Sequence, residues 1–326
     1  MSKKILITGS NGEIGYEVLS FLSKKNDNII ALDINHSNKK IKNINYIQSS
    51  INDYEVIKKL FSENQISEVY HFAALLSQTA AKNPQLAKEV NEKGSQILMD
   101  LSFEHGKNNN NYVKIFFPSS IAVYGPRKLK NASELDIIKP TTIYGKNKLA
   151  IEQYGLKKNI ESEKNNSGID FRAIRLPGVI SPIKIPFGGT TDFAPQMIHS
   201  AFKGENFICK VSKDTSLPFI SIEKAVQAII DLMEVVKFNS VSRVFNIEEA
   251  NFSAQQLENL LIKHFNSFNV EYVIDDKFQS VADTWPSSLN CDLAKMNWKF
   301  DKQISFKKFI VEYLIPLTKK YYEENR

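Results

Sequence analysis

The chain has 326 residues, 42% hydrophobic and 24% charged, a globular composition that excludes disordered, collagen-like and coiled-coil proteins. Its 42 basic and 36 acidic residues leave a net charge of +6, but the lysines are scattered among asparagines with no face-length basic run, so no nucleic-acid partner is expected. Cys209 and Cys291 lie too far apart for a metal knuckle or a disulfide framework, and no apolar run approaches the roughly 18 residues of a membrane span, so a cytoplasmic protein off the membrane is expected.

The first half alternates short apolar runs with helical periodicity. The strand-like runs are 5–8, 29–33, 46–48, 68–73, 113–119 and 170–176. Helical stretches fall at 54–61, 84–104 and 144–159, with Ile14, Val18, Phe21 and Leu22 on one face of an earlier helix. Alternation of this kind predicts a doubly wound parallel sheet of the Rossmann type, with ligand at the carboxyl ends of the strands. After Leu176 the pattern changes. Pro177, Pro182, Pro186 and Gly188-Gly189 mark an irregular crossing, followed by short strands and helices of a smaller α+β substrate lobe. The expected boundaries are 1–178 for the cofactor domain and 179–326 for the lobe, with a segment near 220–250 returning to the main sheet. Asn108–Asn111 and Glu161–Ser167 read as polar loops.

Gly9-Ser10-Asn11-Gly12-Glu13-Ile14-Gly15 follows the first strand and opens a helix. Glycines so placed let the backbone approach a pyrophosphate, while the helix N-terminus faces the phosphates. Asp33 ends the second strand, where a carboxylate accepts hydrogen bonds from ribose hydroxyls and repels a 2′-phosphate, which favours NAD over NADP.

Tyr144-Gly145-Lys146-Asn147-Lys148 is the second constellation. Residues i and i+4 share a helix face, so the phenol and the Lys148 ammonium meet one cleft. A phenol with a pKa near 10 must lose about three units, or roughly 4 kcal/mol, to serve as a base at neutral pH. Lys148 and a cationic nicotinamide are expected to supply that. Ser120 ends the fifth strand and can hold the reacting oxygen in line with the tyrosine.

The order Gly9-x-x-Gly12-x-x-Gly15, Ser120, Tyr144-x-x-x-Lys148 resembles the extended short-chain dehydrogenase/reductase family, which includes nucleotide-sugar epimerases and dehydratases, and the resemblance covers nearly the whole chain. Within it, Ala73-Ala74-Leu75-Leu76-Ser77, Gly188-Gly189-Thr190-Thr191-Asp192, Asp214-Thr215-Ser216-Leu217-Pro218 and Ala282-Asp283-Thr284-Trp285-Pro286-Ser287-Ser288 are similar to the branch that oxidises L-threonine. The resemblance implies that Gly9, Asn11, Gly12, Glu13, Ile14 and Gly15 surround the pyrophosphate, Asp33 binds the ribose, and Ala73, Ala74, Leu75 and Pro177 lie beside the nicotinamide half. Asn91 matches a structural asparagine at the cofactor. It also implies that Ser77, Ser120, Tyr144, Thr190, Thr191, Asp192 and Trp285 line the amino-acid pocket. Ser50 stands where an adenine-binding aspartate is usual, leaving Ile51 to pack there. Asp192 either binds the substrate ammonium or caps the next helix, and Trp285 either lines the pocket or fills the core.

His71 reads as a packed strand-end histidine, and the other histidines lack companions at ligand spacing, so no metal is expected. The function these readings favour is NAD-dependent oxidation of L-threonine to 2-amino-3-oxobutanoate, with Tyr144 as base, Lys148 tuning it and Ser120 orienting the substrate. The alternative is a nucleotide-sugar 4-epimerase or dehydratase with tightly bound NAD. Nucleotide-sugar enzymes of the family place an asparagine where this chain has Gly178. A non-catalytic NAD-sensing scaffold is disfavoured by the intact Ser120, Tyr144 and Lys148 set. A homodimer through helices 84–104 and 144–159 is expected from the resemblance and from Leu86, Val90, Ile97, Leu98 and Leu101.

Overall fold

The computed structural model describes residues 2–26, 28–37, 40–125, 129–183, 185, 189–298, 300–301 and 304–325. In chain order the first elements are β1 (Lys4–Thr8), α1 (Glu13–Ser23), β2 (Ile29–Asp33), β3 (Asn45–Gln48), α2 (Tyr54–Glu63), β4 (Ile66–His71), α3 (Ser77–Lys82) and α4 (Pro84–Ala87). A π-helical stretch, Lys88–Gly94, leads without a break into α5 (Ser95–Asn108), β5 (Tyr112–Ser120), α6 (Ile143–Asn165) and β6 (Gly168–Leu176). Then come β7 (Gly178–Ile180), α7 (Phe193–Lys203), β8 (Phe207–Cys209), β9 (Ser216–Ser221), α8 (Ile222–Glu234), β10 (Val244–Asn246) and β11 (Ala250–Ser253). The chain closes with α9 (Ala254–Ile262), β12 (Val270–Tyr272), α10 (Asp276–Ala282), α11 (Asp292–Trp298), α12 (Phe306–Lys308), a second π stretch and α13 (Ile315–Glu324).

The chain passes alternately through two compact units. Met1–Ser119, Lys146–Ile174 and Val226–Val244 make the first, and Ser120–Gly145, Arg175–Ala225 and Phe245–Arg326 the second. The first carries most of a seven-stranded sheet ordered β10-β6-β5-β4-β1-β2-β3. β1 pairs in parallel with β2 on one side and β4 on the other, and β2–β3 and β4–β5 are also parallel. Strand order reverses between β1 and β4, the switch point at which doubly wound sheets bind ligand. The strands are apolar without alternation because both faces are covered, as parallel sheets require. Leu6, Ile30, Leu32, Val69, Ile115 and Phe117 from the sheet pack with Leu98, Met99, Phe103 and Ile151 from the helices. Each such side chain contributes about 1.5–3 kcal/mol when fully buried.

The second unit holds two small sheets. In one, β9 lies between antiparallel β11 and parallel β7; in the other, β8 and β12 are parallel. Its core is aromatic: the Phe219 and Phe252 rings stack at 4.3 Å, and Phe193 meets Phe219 edge-on at 5.9 Å.

Several elements depart from the sequence reading. Glu161–Ser167 is not a loop up to Asn165, because α6 continues through it. The Ser162 hydroxyl bonds back to Lys158 O at 2.8 Å, the Asn159 amide to Glu163 at 2.9 Å, and the turn comes at Asn166, with φ of 51°. The helix expected to end at Glu104 runs on to Asn108, and the irregular crossing contains the strand β7. Pro186 and Gly188 lie outside the described residues. Segment 244–246 belongs to the seven-stranded sheet, where Ala173 N donates to Arg243 O at 2.8 Å.

Candidate active site

In the first unit, the loop between β1 and α1 is fixed by backbone contacts that leave no room for a side chain at Gly9 or Gly15. Gly9 adopts φ of +68°, and a Cβ there would stand 2.5 Å from Ala73 N. A Cβ on Gly15 would run into the Gly9 carbonyl, and Gly12 N donates to Gly9 O at 3.0 Å. Glu13 stands in the first turn of α1, and Ile14 follows it. That turn has no side-chain cap, and the Ser10 hydroxyl, 1% exposed, has no partner. A loop with glycine at its close backbone contacts, leading into an uncapped helix N-terminus, fits a pyrophosphate.

The Asp33 carboxylate accepts from Asn11 N at 3.0 Å and Asn35 N at 2.9 Å, which fixes it at the carboxyl end of β2 with oxygen lone pairs to spare. Ile51 is a core residue packed 2.7 Å from where a Cβ on Gly94 would stand, and Ser50 Oγ accepts from Asn52 N at 3.2 Å, shaping the turn before α2. After β4, Ala73, Ala74 and Leu75 are half-buried, and Ser77 opens α3. Asn91 brackets Leu75, accepting from its N–H at 2.7 Å and donating to its carbonyl at 3.0 Å.

Lys148 is buried on α6. Its ammonium donates to Pro118 O at 2.7 Å and stands 4.7 Å from the centre of the Phe117 ring. Burial pulls its pKa down to about 7. One turn further along α6, the buried Glu152 accepts from the Ser119 hydroxyl at 2.8 Å, so two successive strand-end residues are gripped by one helix. The sequence reading missed Glu152; its spacing from Lys148 was the available signal.

In the second unit, Ser120 Oγ accepts from Ala122 N at 3.2 Å and hydrogen-bonds the Tyr144 phenol. Gly145 follows Tyr144 because a Cβ there would meet the Ala122 carbonyl, and its N–H is capped by Thr142 Oγ1 at 3.0 Å. Burial pushes the Tyr144 phenol up to about 12, and the Ser120 hydrogen bond opposes that rise. The depression expected of Lys148 and a cationic nicotinamide together has to overcome this packing, which by itself favours neutral Tyr144.

Pro177 precedes Gly178, where a Cβ would stand 2.6 Å from Phe219 and 2.9 Å from Thr191 Cβ. Thr190 is buried, and Thr191 and Asp192 half-buried, in a single 3₁₀ turn. Asp192 makes no side-chain cap on α7 itself; its carboxylate turns back to accept from Gly189 N at 2.7 Å, capping the 3₁₀ turn that runs into α7. Trp285 is 5% exposed and its indole N–H has no partner. Arg175 donates to the Tyr124 hydroxyl at 3.1 Å, and that hydroxyl reaches Asn246 Oδ1 at 2.7 Å, a buried network outside the sequence reading. Among the described residues, no group of three His, Cys, Asp or Glu could hold a metal, and no helix is long and apolar enough to cross a membrane.

A glycine-lined loop at a sheet switch point, an acid at the end of β2 and a tyrosine one helical turn before a lysine define a dinucleotide-dependent α/β enzyme. The model of the NAD dependent epimerase/dehydratase family matches residues 5–247, and the chain belongs to that family. It is an NAD-dependent oxidoreductase. It is 34% identical over 300 residues to the L-threonine 3-dehydrogenase, mitochondrial, of Bos taurus, covering 91% of this chain and 78% of that protein. The structure of L-threonine dehydrogenase from Clostridium difficile matches with a TM-score of 0.87 and 29% identity, covering 98% of each chain. A monomeric L-threonine 3-dehydrogenase from a metagenome matches with a TM-score of 0.84 and 33% identity, over 97% of this chain and 99% of that one.

Proposed function

We propose that this protein oxidises L-threonine at its β-hydroxyl, giving 2-amino-3-oxobutanoate, NADH and a proton. The observation that carries the reading is the Ser120–Tyr144 hydrogen bond, with Lys148 one turn along the same helix. Bound NAD supplies the hydride acceptor and a positive ring charge that favours phenolate. Tyr144 takes the hydroxyl proton, Ser120 holds the reacting oxygen, and Lys148 tunes Tyr144. Asp33 takes the ribose, Gly9 to Gly15 the pyrophosphate, and Ile51, Ala73 to Leu75, Asn91 and Pro177 the rest of the cofactor. Ser77, Thr190, Thr191, Asp192 and Trp285 receive the amino acid, and the partnerless indole N–H of Trp285 is a donor suited to its carboxylate. The cofactor role falls mainly to residues 1–178 and the substrate role to 179–326.

The relatives named L-threonine dehydrogenases support this reading. The nucleotide-sugar alternative is weakened at Gly178, where Phe219 and Thr191 leave no space for an amide side chain. Incubating the protein with NAD and a panel of β-hydroxy amino acids, and following NADH, tests the proposal; turnover of nucleotide sugars with none of threonine would reverse it.

A cytoplasmic homodimer is part of the same proposal. Leu98 is committed to the core and Val90 and Leu101 pack against it, while Leu86 is 46% exposed and Ile97 half-buried, leaving these two to a partner. Light scattering at micromolar concentration decides it, since one solved relative is described as monomeric.

A further inference from the structure

Three buried side chains of the first unit, Thr8, His71 and Ser95, form a hydrogen-bond chain that ends on the backbone of a fourth buried residue, Asn91, and that proton abstraction does not use. Thr8 Oγ1 lies 2.7 Å from His71 Nδ1, and His71 Nε2 lies 2.8 Å from Ser95 Oγ. The Ser95 hydroxyl donates to Asn91 O at 2.7 Å, and the Asn91 amide brackets Leu75. The four residues are 0–3% exposed.

The chain has one proton order. Ser95 has a single hydroxyl proton and places it on the Asn91 carbonyl, so towards His71 it only accepts. His71 therefore carries its proton on Nε2, and Nδ1 accepts from the Thr8 hydroxyl. The imidazole must be neutral, and burial beside the Lys148 ammonium keeps it so, pulling its pKa down to about 3. The chain starts at the last residue of β1, immediately before the glycine loop, and ends on the loop after β4. Both lie at the sheet's switch point, where Gly9 packs against Ala73.

We propose that His71 is a positioning residue for the cofactor, tying the end of β1 through Ser95 and Asn91 to Leu75 so that the Ala73–Leu75 segment is held ready for the nicotinamide half of NAD. This rests on the assignment of that segment to the nicotinamide.

The test compares the affinity of the full-length protein for NAD and for ADP-ribose, which keeps the adenosine and pyrophosphate but lacks the nicotinamide. Calorimetry is run on His71→Phe, on Ser95→Ala, which cuts the chain while leaving the ring in place, and on His71→Gln, whose amide can both donate and accept. NAD affinity should fall roughly tenfold in His71→Phe and Ser95→Ala, the effect of leaving buried polar groups unpaired. ADP-ribose affinity should stay within about twofold, and His71→Gln should regain most of the loss. Equal losses for both ligands, or no loss in Ser95→Ala, would overturn the proposal, since the chain would then be general scaffolding. Wild-type protein that bound NAD no more tightly than ADP-ribose would strike out the nicotinamide assignment and the proposal with it. The readout is binding, so a wild-type protein that holds NAD but leaves threonine untouched fails only the functional reading.

Discussion

The switch-point region of the first unit and the Pro177–Asp192 segment of the second handle their polar groups in opposite ways. Around β1 and β4, Thr8, His71 and Ser95 bond one another, Ser95 and the Asn91 side chain are satisfied by the backbone of Asn91 and Leu75, and Asp33 is fixed by two backbone N–H groups. In the second unit, Thr191 and Asp192 are half-buried on one short turn, and the Trp285 indole N–H is buried with no partner. A buried donor left unpaired costs about 1–3 kcal/mol. Apart from the Ser10 hydroxyl, the first region is paired before ligand arrives. The second keeps the Trp285 indole donor without a partner.

The largest effect should come from Tyr144→Phe, which keeps the ring and removes the proton acceptor. Turnover should fall about 10²- to 10⁴-fold with NAD affinity nearly unchanged, and calorimetry beside NADH-linked kinetics separates the two quantities. Gly9→Ala attacks the first region. Its methyl would press on Ala73 N at a backbone angle that favours glycine, and overpacking of that kind costs about 1–3 kcal/mol, or a tenfold to hundredfold loss of NAD affinity.

Thr191→Val attacks the second region instead. It is nearly isosteric, so the amino-acid KM should rise about tenfold while the NAD dissociation constant holds. A variant that weakened NAD and spared the KM would move this turn to the cofactor. The smallest effect is on stability in acid. His71 is neutral in the folded protein down to about pH 3, whereas an unfolded imidazole takes a proton below about 6.5. The unfolded chain thus binds more protons across that window, and stability declines as pH drops through it. The melting temperature should slip a few degrees between pH 7 and 5, and His71→Gln should flatten that slope.

The sequence disclosed what is periodic and local. Strands 29–33 and 170–176, the glycine loop and the Tyr144–Lys148 turn stand in the structure within two residues of where apolar runs and spacing put them. What it hid depends on distant partners. β7 has only three residues and exists because β9 pairs with it, so no alternation marked it. The rise of the Tyr144 pKa comes from packing around the phenol, which spacing along a helix does not report. His71 gave a correct impression of a packed strand end, but its partner Ser95 lies on a helix whose facing depends on the irregular turns before it. Asp192 stood at a helix start, and its carboxylate caps the 3₁₀ turn before α7 rather than α7 itself, a one-turn shift that spacing does not report.

The π-helical stretch Lys88–Gly94 carries Asn91 at its middle and delivers the chain to Ser95. A helix that takes one wide turn has in effect absorbed an additional residue, and everything after it is rotated by about 100° relative to an uninterrupted α-helix. Removing one residue between Ala87 and Ser95 would let the helix close into regular α geometry with its hydrogen bonding intact and its length hardly altered. The cost would be phase: Ser95, Leu98 and Phe103 would turn together with α5 relative to Pro84–Ala87, so α5 could keep its contacts with His71 and the core only if α4 moved. A length change harmless to the helix would thus reach the cofactor edge as a rotation.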